Sequence, residues 1–269
     1  MVSRAFGDLD LKLGRRTTRD GLDSVPRARA REGLSASLPV MFGHDLWNAW
    51  EVSYLSPEGR PVVWHMQCVY AADTPCIVES KSFKLFLNAR NQETYPNRAA
   101  FAAYVRAKLE ACVDGSVELH FYAPETTPPA RGLRGVDIDA AETPTFPDAY
   151  DPHVPTTQHA DSRGFAFHSH LLRSLCPVTA QPDWGAVEIE GLGARSPSAA
   201  GLLAYIVGLR NHQDFHEVCC ERIYADLYAA LAPERLTVRC LYTRRGGLDI
   251  GPVRSSHAAA VLREPVWRQ

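Results

Sequence analysis

The chain has 269 residues, 45% of them apolar and 22% charged, with a formal net charge of −2. This is the composition of a globular protein with one large or two modest cores, and its near-neutral charge gives no global drive toward nucleic acid. No apolar run is long enough to span a membrane, and the charged start (Arg4, Asp8, Asp10, Lys12) lacks a signal peptide's apolar stretch, so neither a membrane partner nor secretion is expected.

Residues 1–38 are Arg-rich and weakly periodic, which predicts an arm lying over the body. Trp47 to Leu55 and Pro61 to Tyr70 carry aromatic and β-branched residues around a Pro-Glu-Gly turn, the pattern of a hairpin. Asn97 then precedes a helix whose apolar stripe runs Phe101, Val105, Leu109 and Cys112. Ser116 to Tyr122 reads as a strand, and residues 124–160, rich in Pro, Thr and Asp, as a connector with little regular structure. The second half repeats this plan. Val187 to Glu190 reads as strand and Ala200 to Leu209 as an apolar helix. His216 to Leu231 reads as a helix with Cys220, Ile223, Leu227 and Leu231 on one face, and Thr237 to Tyr242 as a closing strand. An offset of 120 aligns Trp64 with Trp184, Arg90-Asn91 with Arg210-Asn211, Tyr104 with Tyr224 and Tyr122 with Tyr242. Identities at that offset agree with the order of elements, which suggests an internal duplication. The expected division is an arm over 1–38, one module over 39–150 and a second over 151–269.

Seven cysteines, an odd number without a regular framework, point to a reducing cytoplasm rather than to disulfides. There is no CxxC pair or His/Cys spacing for a structural zinc, so no metal is expected. The segment Ser174-Leu175-Cys176-Pro177-Val178-Thr179-Ala180-Gln181-Pro182-Asp183-Trp184-Gly185 puts a thiol and a carboxylate on one short stretch restricted by Pro177 and Pro182. A thiolate nucleophile needs a neighbour to exchange its proton, and Asp183 is the candidate beside Cys176. Taken alone, such a pair is more often a buried Cys near a turn. Glu79-Ser80-Lys81-Ser82 reads most simply as a strand edge running into a helix start, with Lys81 and Lys84 suited to phosphates as point charges. Asp214 and Glu217 have the spacing of a capping box at the start of the His216 helix. In Arg244-Arg245-Gly246-Gly247, forked guanidiniums suit a phosphate and the glycines permit close backbone approach. Gly191-Leu192-Gly193 lacks the third glycine and the βαβ setting of a dinucleotide fingerprint and reads as a hairpin loop.

The Cys176 segment resembles the nucleophile segment of the NADPH-dependent 7-cyano-7-deazaguanine reductases, the nitrile reductases of queuosine biosynthesis. Three further segments match in order: Glu79 to Asn88, Arg210 to Glu217, and Tyr242 to Ile250. The resemblance runs from about Gly43 to the C-terminus and is to the long, two-module form. It implies an α+β fold of two tandem tunnelling-fold modules, each an antiparallel sheet with helices on one face. Cys176 would add to the nitrile carbon as a covalent thioimide, Asp183 would protonate the nitrogen, and His216 would donate a proton in the later reduction. Glu217 and Glu79, with Ser80, would hold the heterocycle. Ser80, Lys81, Lys84, Arg244, Arg245 and Gly246 would line NADPH, of which two are used per turnover. The partner implied is the small deazaguanine nitrile, with no direct nucleic-acid contact, and the exposed sheet edges that small modules leave predict at least a homodimer. Gly251, Arg90 and Ala30 depart from the family pattern.

Three other readings fit the residues less well. A tunnelling-fold cyclohydrolase or pterin-type enzyme would need a metal constellation or a different acid–base set, and a thiol hydrolase using Cys176 and His216 would need no cofactor. A non-catalytic heterocycle-binding module would leave Cys176 inert. At the offset of 120, Cys176 faces Ser56, Asp183 faces Val63 and Glu79 faces Ala199, so each half lacks what the other carries. One site built across both halves is therefore expected.

Overall fold

The computed structural model describes residues 21–34, 38–142, 145–153, 156–159 and 164–269. The expected arm falls partly outside them, at 1–20 and 35–37. The first half runs β1 (Ser24–Pro26), α1 (Arg27–Ala30), β2 (Phe42–Leu55), β3 (Pro61–Ala71), β4 (Cys76–Val78), α2 (Ser80–Ala89), α3 (Arg98–Val113) and β5 (Val117–Tyr122). Next come β6 (Val136–Asp137), β7 (Thr156–His159), β8 (Gly164–Ser169) and β9 (Arg173–Leu175). The second half closes with β10 (Pro182–Leu192), β11 (Arg195–Pro197), α4 (Ala199–Gly208), α5 (His216–Leu231), β12 (Arg235–Tyr242) and β13 (Leu248–Ser255).

The order from β3 to β5 recurs from β10 to β12, as the sequence offset suggested. Even the helix ends correspond: α3 stops on Asp114 and α5 on Ala232, both in the left-handed region. The two halves are joined in a single nine-stranded sheet of order β5-β3-β2-β13-β12-β10-β8-β6, with β9 paired to β10. The seam is the antiparallel β2–β13 pair, in register from Leu248↔Ala49 to Ser255↔Phe42. Two expectations need correction. The sheet is not wholly antiparallel, because the connector contributes β6, which pairs parallel to β8. The Gly191–Gly193 stretch links β10 to β11 without making them a hairpin, since β11 pairs with β7.

Alternation explains how the sheet is buried on both faces. Met66, Cys68 and Tyr70 of β3 and Leu236, Val238 and Cys240 of β12 enter the main core. They meet Phe83 and Phe86 of α2, the predicted stripe Phe101, Val105, Leu109 of α3, and Cys220, Ile223 and Leu227 of α5. The opposite face is covered in part by the C-terminal tail. Val266 packs with Ala186 and Leu241, and the buried Gln67 amide donates to the Arg263 carbonyl at 2.7 Å. Arg90, a departure from the family pattern, fits the aromatic slot it occupies. Its guanidinium lies 4.8 Å from the Phe86 ring centroid and 5.4 Å from that of Tyr104.

The described part of the arm is stitched down. β1 pairs with β4, and Arg27 reaches Asp45 of β2 at 2.6 Å. Arg31 donates to Glu221 of α5 at 2.7 Å. Arg254 of β13, fully buried, bridges Asp45 at 2.8 Å and Glu221 at 2.9 Å. Charges inside an apolar body persist only when paired in this way.

Candidate active site

Cys176 is placed by its hairpin. β9 pairs with the start of β10 in the register Leu175↔Pro182 and Ser174↔Asp183, so the thiol and Asp183 flank a short loop. The loop is closed by Cys176 N–H donating to the Gln181 carbonyl and Ala180 N–H donating to the Cys176 carbonyl, both at 2.9 Å. The residues entering α5 run beside β9: Leu175 N–H donates to His212 at 2.8 Å, and Asp214 N–H donates to Leu175 at 3.2 Å. That contact carries His216 and Glu217 to the thiol loop. From the other half, Trp47 of β2 and the start of α2 close the pocket. Its lining joins Cys176, Asp183, His216, Glu217, Glu79, Ser80 and Arg245.

The buried Asp183 carboxylate lies 3.1 Å from His216 Nε2 through one oxygen and is ion-paired to Arg245 through the other. Arg245 also approaches His216 Nε2 at 3.1 Å. Burial, with Arg245 and Lys84 nearby, pushes the His216 pKa down despite Asp183, so the neutral imidazole prevails at neutral pH. The α5 N-terminus favours the same form. The Arg245 guanidinium, expected among the phosphate contacts, lines the pocket and pairs with Asp183.

No capping box forms between Asp214 and Glu217. Phe215 occupies the N-cap without a side-chain cap bond, because the Asp214 carboxylate is taken by Arg222 at 2.7 Å. Glu217 is therefore free of that duty. It is 2% exposed, and its Oε1 has no hydrogen-bond partner among the described residues. A buried acceptor left empty is costly unless a ligand supplies donors. Burial, reinforced by Asp45, pushes its carboxyl up to about 8.

That shift has a measurable consequence. Between the ordinary value of 4.5 and about 8, the unfolded chain has released a proton that the folded chain keeps, so stability falls as pH rises through this window. Glu217→Gln removes the titration. The variant is expected to gain melting temperature over wild type progressively from about pH 5 to about pH 8, with no gain below. A calorimetric gain that does not change with pH would refute this.

Glu79 is not on an exposed strand edge. It is the N-cap of α2, its carboxylate accepting from Lys81 N–H at 2.9 Å and Ser82 N–H at 2.7 Å. Glu79 and Ser80 both line the pocket. Lys84 and the Arg244–Gly247 turn adjoin: a Cβ built on Gly246 would come within 3.3 Å of the Lys84 side chain, and Gly246 and Gly247 have φ of +58° and +80°. A bulge in β2 lets Trp50 N–H reach the Gly247 carbonyl at 2.9 Å and anchors that turn. Arg244 lies exposed over the Trp50 ring, 3.9 Å from its centroid. Lys81 is half-buried on α2.

Trp47 and Phe215 line the pocket without having been singled out in the sequence, nor were the charges behind Glu217. Aromatic residues in strands and at helix starts are ordinary. Asp45 and Arg254, however, lie within apolar strands, and such charges signal a buried pair.

Fold and pocket together define a class: an α+β enzyme with a cysteine set beside proton-exchanging groups and an unsatisfied buried carboxylate. The family model described as nitrile reductase, 7-cyano-7-deazaguanine-reductase N-term, matches residues 15–121, and that of the QueF-like protein matches residues 182–260. The NADPH-dependent 7-cyano-7-deazaguanine reductase of Coxiella burnetii (strain Dugway 5J108-111) is 39% identical over 237 residues, covering 87% of this chain and 84% of that protein. The reductase of the same name from Bordetella avium (strain 197N) is 41% identical over 242 residues, covering 88% and 87%. The chain thus belongs to the 7-cyano-7-deazaguanine reductase family of nitrile reductases. The apo crystal structure of an archaeosine synthase QueF-like protein aligns with 38% of this chain and 100% of its own at 16% identity, with a TM-score of 0.35.

Proposed function

We propose that this chain reduces the nitrile of 7-cyano-7-deazaguanine to the aminomethyl group with NADPH, a step toward queuosine in tRNA. The observation that carries the reading is the single pocket in which Cys176, the Asp183–His216 pair and the orphaned Glu217 converge. The Cys176 sulfur adds to the nitrile carbon as its thiol proton passes to the Asp183 carboxylate, which delivers it to the nitrogen, giving a thioimide. Bound at the basic rim, NADPH would supply hydride to that carbon, and two molecules would give the two hydrides, with the sulfur leaving as thiolate between the two additions. Two hydrides and two protons convert nitrile to amine. His216, neutral at rest, takes up a proton and passes it on from the resulting imidazolium, while Arg245 holds Asp183 in place.

Glu217, with Glu79 beside Ser80, accepts from the amide and amine donors of the heterocycle. Losing Glu217 leaves those donors unpaired, at about 1–3 kcal/mol. The dinucleotide fits the basic rim. The Gly246 turn, whose φ of +58° favours glycine, lies against the Lys84 side chain, so backbone and ammonium together form a cradle for phosphate, flanked by Lys81 and Arg244. A preference for NADPH over NADH is expected. Removing the charge of Arg244, Arg245, Lys81 or Lys84 should narrow it in at least one case, read as the ratio of kcat/KM for the two cofactors. Equal wild-type turnover with both would sink this assignment.

The repeated element order supports two tandem tunnelling-fold modules at the boundaries given above, merged at the β2–β13 seam. β5 ends the sheet with a neighbour on one side, which favours pairing with a second copy as a homodimer. No described helix is long and apolar enough to cross a membrane. The free cysteines suit the cytoplasm. The reaction needs no metal and no direct contact with nucleic acid. Mixing the purified protein with 7-cyano-7-deazaguanine and following NADPH oxidation tests the whole reading: no substrate-dependent oxidation refutes it.

A further inference from the structure

We propose that Asp137, His168 and His170 form a site for a divalent transition-metal ion of the zinc class, away from the catalytic pocket, that clamps the connector strand β6 to the sheet. The three residues each offer a ligand atom, and these atoms lie within 4.8 Å of one another. The set has no His/Cys spacing signature in the sequence, because two of its members are His-x-His and the third comes from the distant connector.

Each ligand is prepared by its surroundings. His168 Nδ1 sits 3.2 Å from the Arg134 carbonyl and 3.1 Å from that of Gly135, so its proton lies there. Nε2 is left with its lone pair 3.9 Å from Asp137 Oδ2. A backbone carbonyl fixing the far nitrogen is the usual orientation of a metal-binding imidazole. His170 is pinned by its backbone, with N–H donating to Asp139 Oδ2 at 3.0 Å and C=O accepting from Arg268 at 2.8 Å. Its ring stands edge-on to His168 at 5.7 Å, and its Nδ1 is buried with no partner among the described residues. Asp137 Oδ1 accepts from Asp139 N–H at 2.9 Å, which leaves Oδ2 uncommitted to that turn.

The approach that brings these groups together is itself built in. A Cβ on Gly135 would lie 2.5 Å from the Ala166 backbone, so only glycine lets β6 reach β8 in the register Asp137↔His168. β6 is two residues long, and its pairing is extended by Ile138 N–H donating to the His168 carbonyl at 3.1 Å and by Asp139 on Ser169 and His170. An ion bound by two imidazoles and a carboxylate would tie it down. Zn²⁺ takes such ligands at about 2.0–2.2 Å, and rotation of the exposed Asp137 side chain closes the set, with water in the fourth position. The donors suit Zn²⁺, Co²⁺ or Ni²⁺ and not Mg²⁺ or Ca²⁺, which prefer oxygen.

Because the Cys176 thiol would itself take such ions, the test is made in full-length Cys176→Ala protein. Titration with Zn²⁺ by calorimetry, and with Co²⁺ by its visible absorption, should show one ion per chain. Melting temperature should rise with Zn²⁺ and not with Mg²⁺. Adding His168→Ala, or separately Asp137→Ala, should weaken binding at least tenfold and abolish the thermal gain. Asp137 is exposed, so Asp137→Ala carries the test should His168→Ala fail to fold. Affinity unchanged in the Asp137→Ala protein, no ion bound by the parent, or equal stabilisation by Mg²⁺ would overturn the proposal. Neither result bears on nitrile reduction.

Discussion

Cys176→Ala is expected to lower nitrile reduction at least ~10³-fold while leaving substrate binding intact, because on the proposed covalent route the hydride acceptor forms only after the sulfur adds to the carbon. Intact-protein mass spectrometry on wild type without cofactor should show one heterocycle per chain at saturation, and none on the variant. The cysteines of α5 and β12 offer no substitute: Cys219, Cys220 and Cys240 are fully buried, and burial pushes the Cys219 thiol up to about 12. An adduct surviving in Cys176→Ala would overturn the assignment. Two adducts per wild-type chain would overturn the single composite site, as would full activity of a fragment spanning 160–269, which lacks Trp47, Glu79 and Ser80.

Asp183→Ala is expected to slow turnover by about 10²–10⁴-fold with little change in substrate affinity. Three effects coincide at this carboxylate. It sits on His216 Nε2, it neutralises Arg245, and it opposes the depression of the His216 pKa by burial. Without it, Arg245 faces the imidazole unopposed, so protonation of His216 becomes harder still. The acid-side limb of the kcat profile should therefore move to lower pH in the variant, which a merely structural Asp183 would not produce. Asp183→Asn keeps shape and one hydrogen bond but loses the charge, and should resemble the Ala variant in rate. A full-rate Asp183→Ala enzyme would mean that another group delivers the proton.

Much of the architecture was legible in local pattern. The β2–β3 hairpin shows in its alternating residues and its Pro-Glu-Gly turn, where Gly59 takes φ +77°. The α3 and α5 stripes show because 3.6-residue periodicity is a local property. Cys176 and Asp183 were legible as a motif only through the resemblance of the whole 174–185 string to the nitrile reductases, and the structure sets the pair on a short hairpin. The limits of that reading are also physical. The capping box at Asp214 had the right spacing, but spacing does not register a competing guanidinium such as Arg222, eight residues further along. β6 was read as unstructured connector, since two residues carry no periodicity and its pairing depends on a partner some thirty residues away.

By itself, then, the sequence determined the elements, their repetition, the thiol and carboxylates, and the absence from each half of the groups held by the other. Only the tertiary structure decided how these meet. The β2–β13 seam merges two half-sheets and brings the α2 N-terminus against the Cys176 loop. The same fold sets Arg245 on Asp183 and places Asp45 behind Glu217. Burial and long-range Coulomb interaction set the protonation of Glu217 and His216, and both depend on neighbours that no linear spacing encodes.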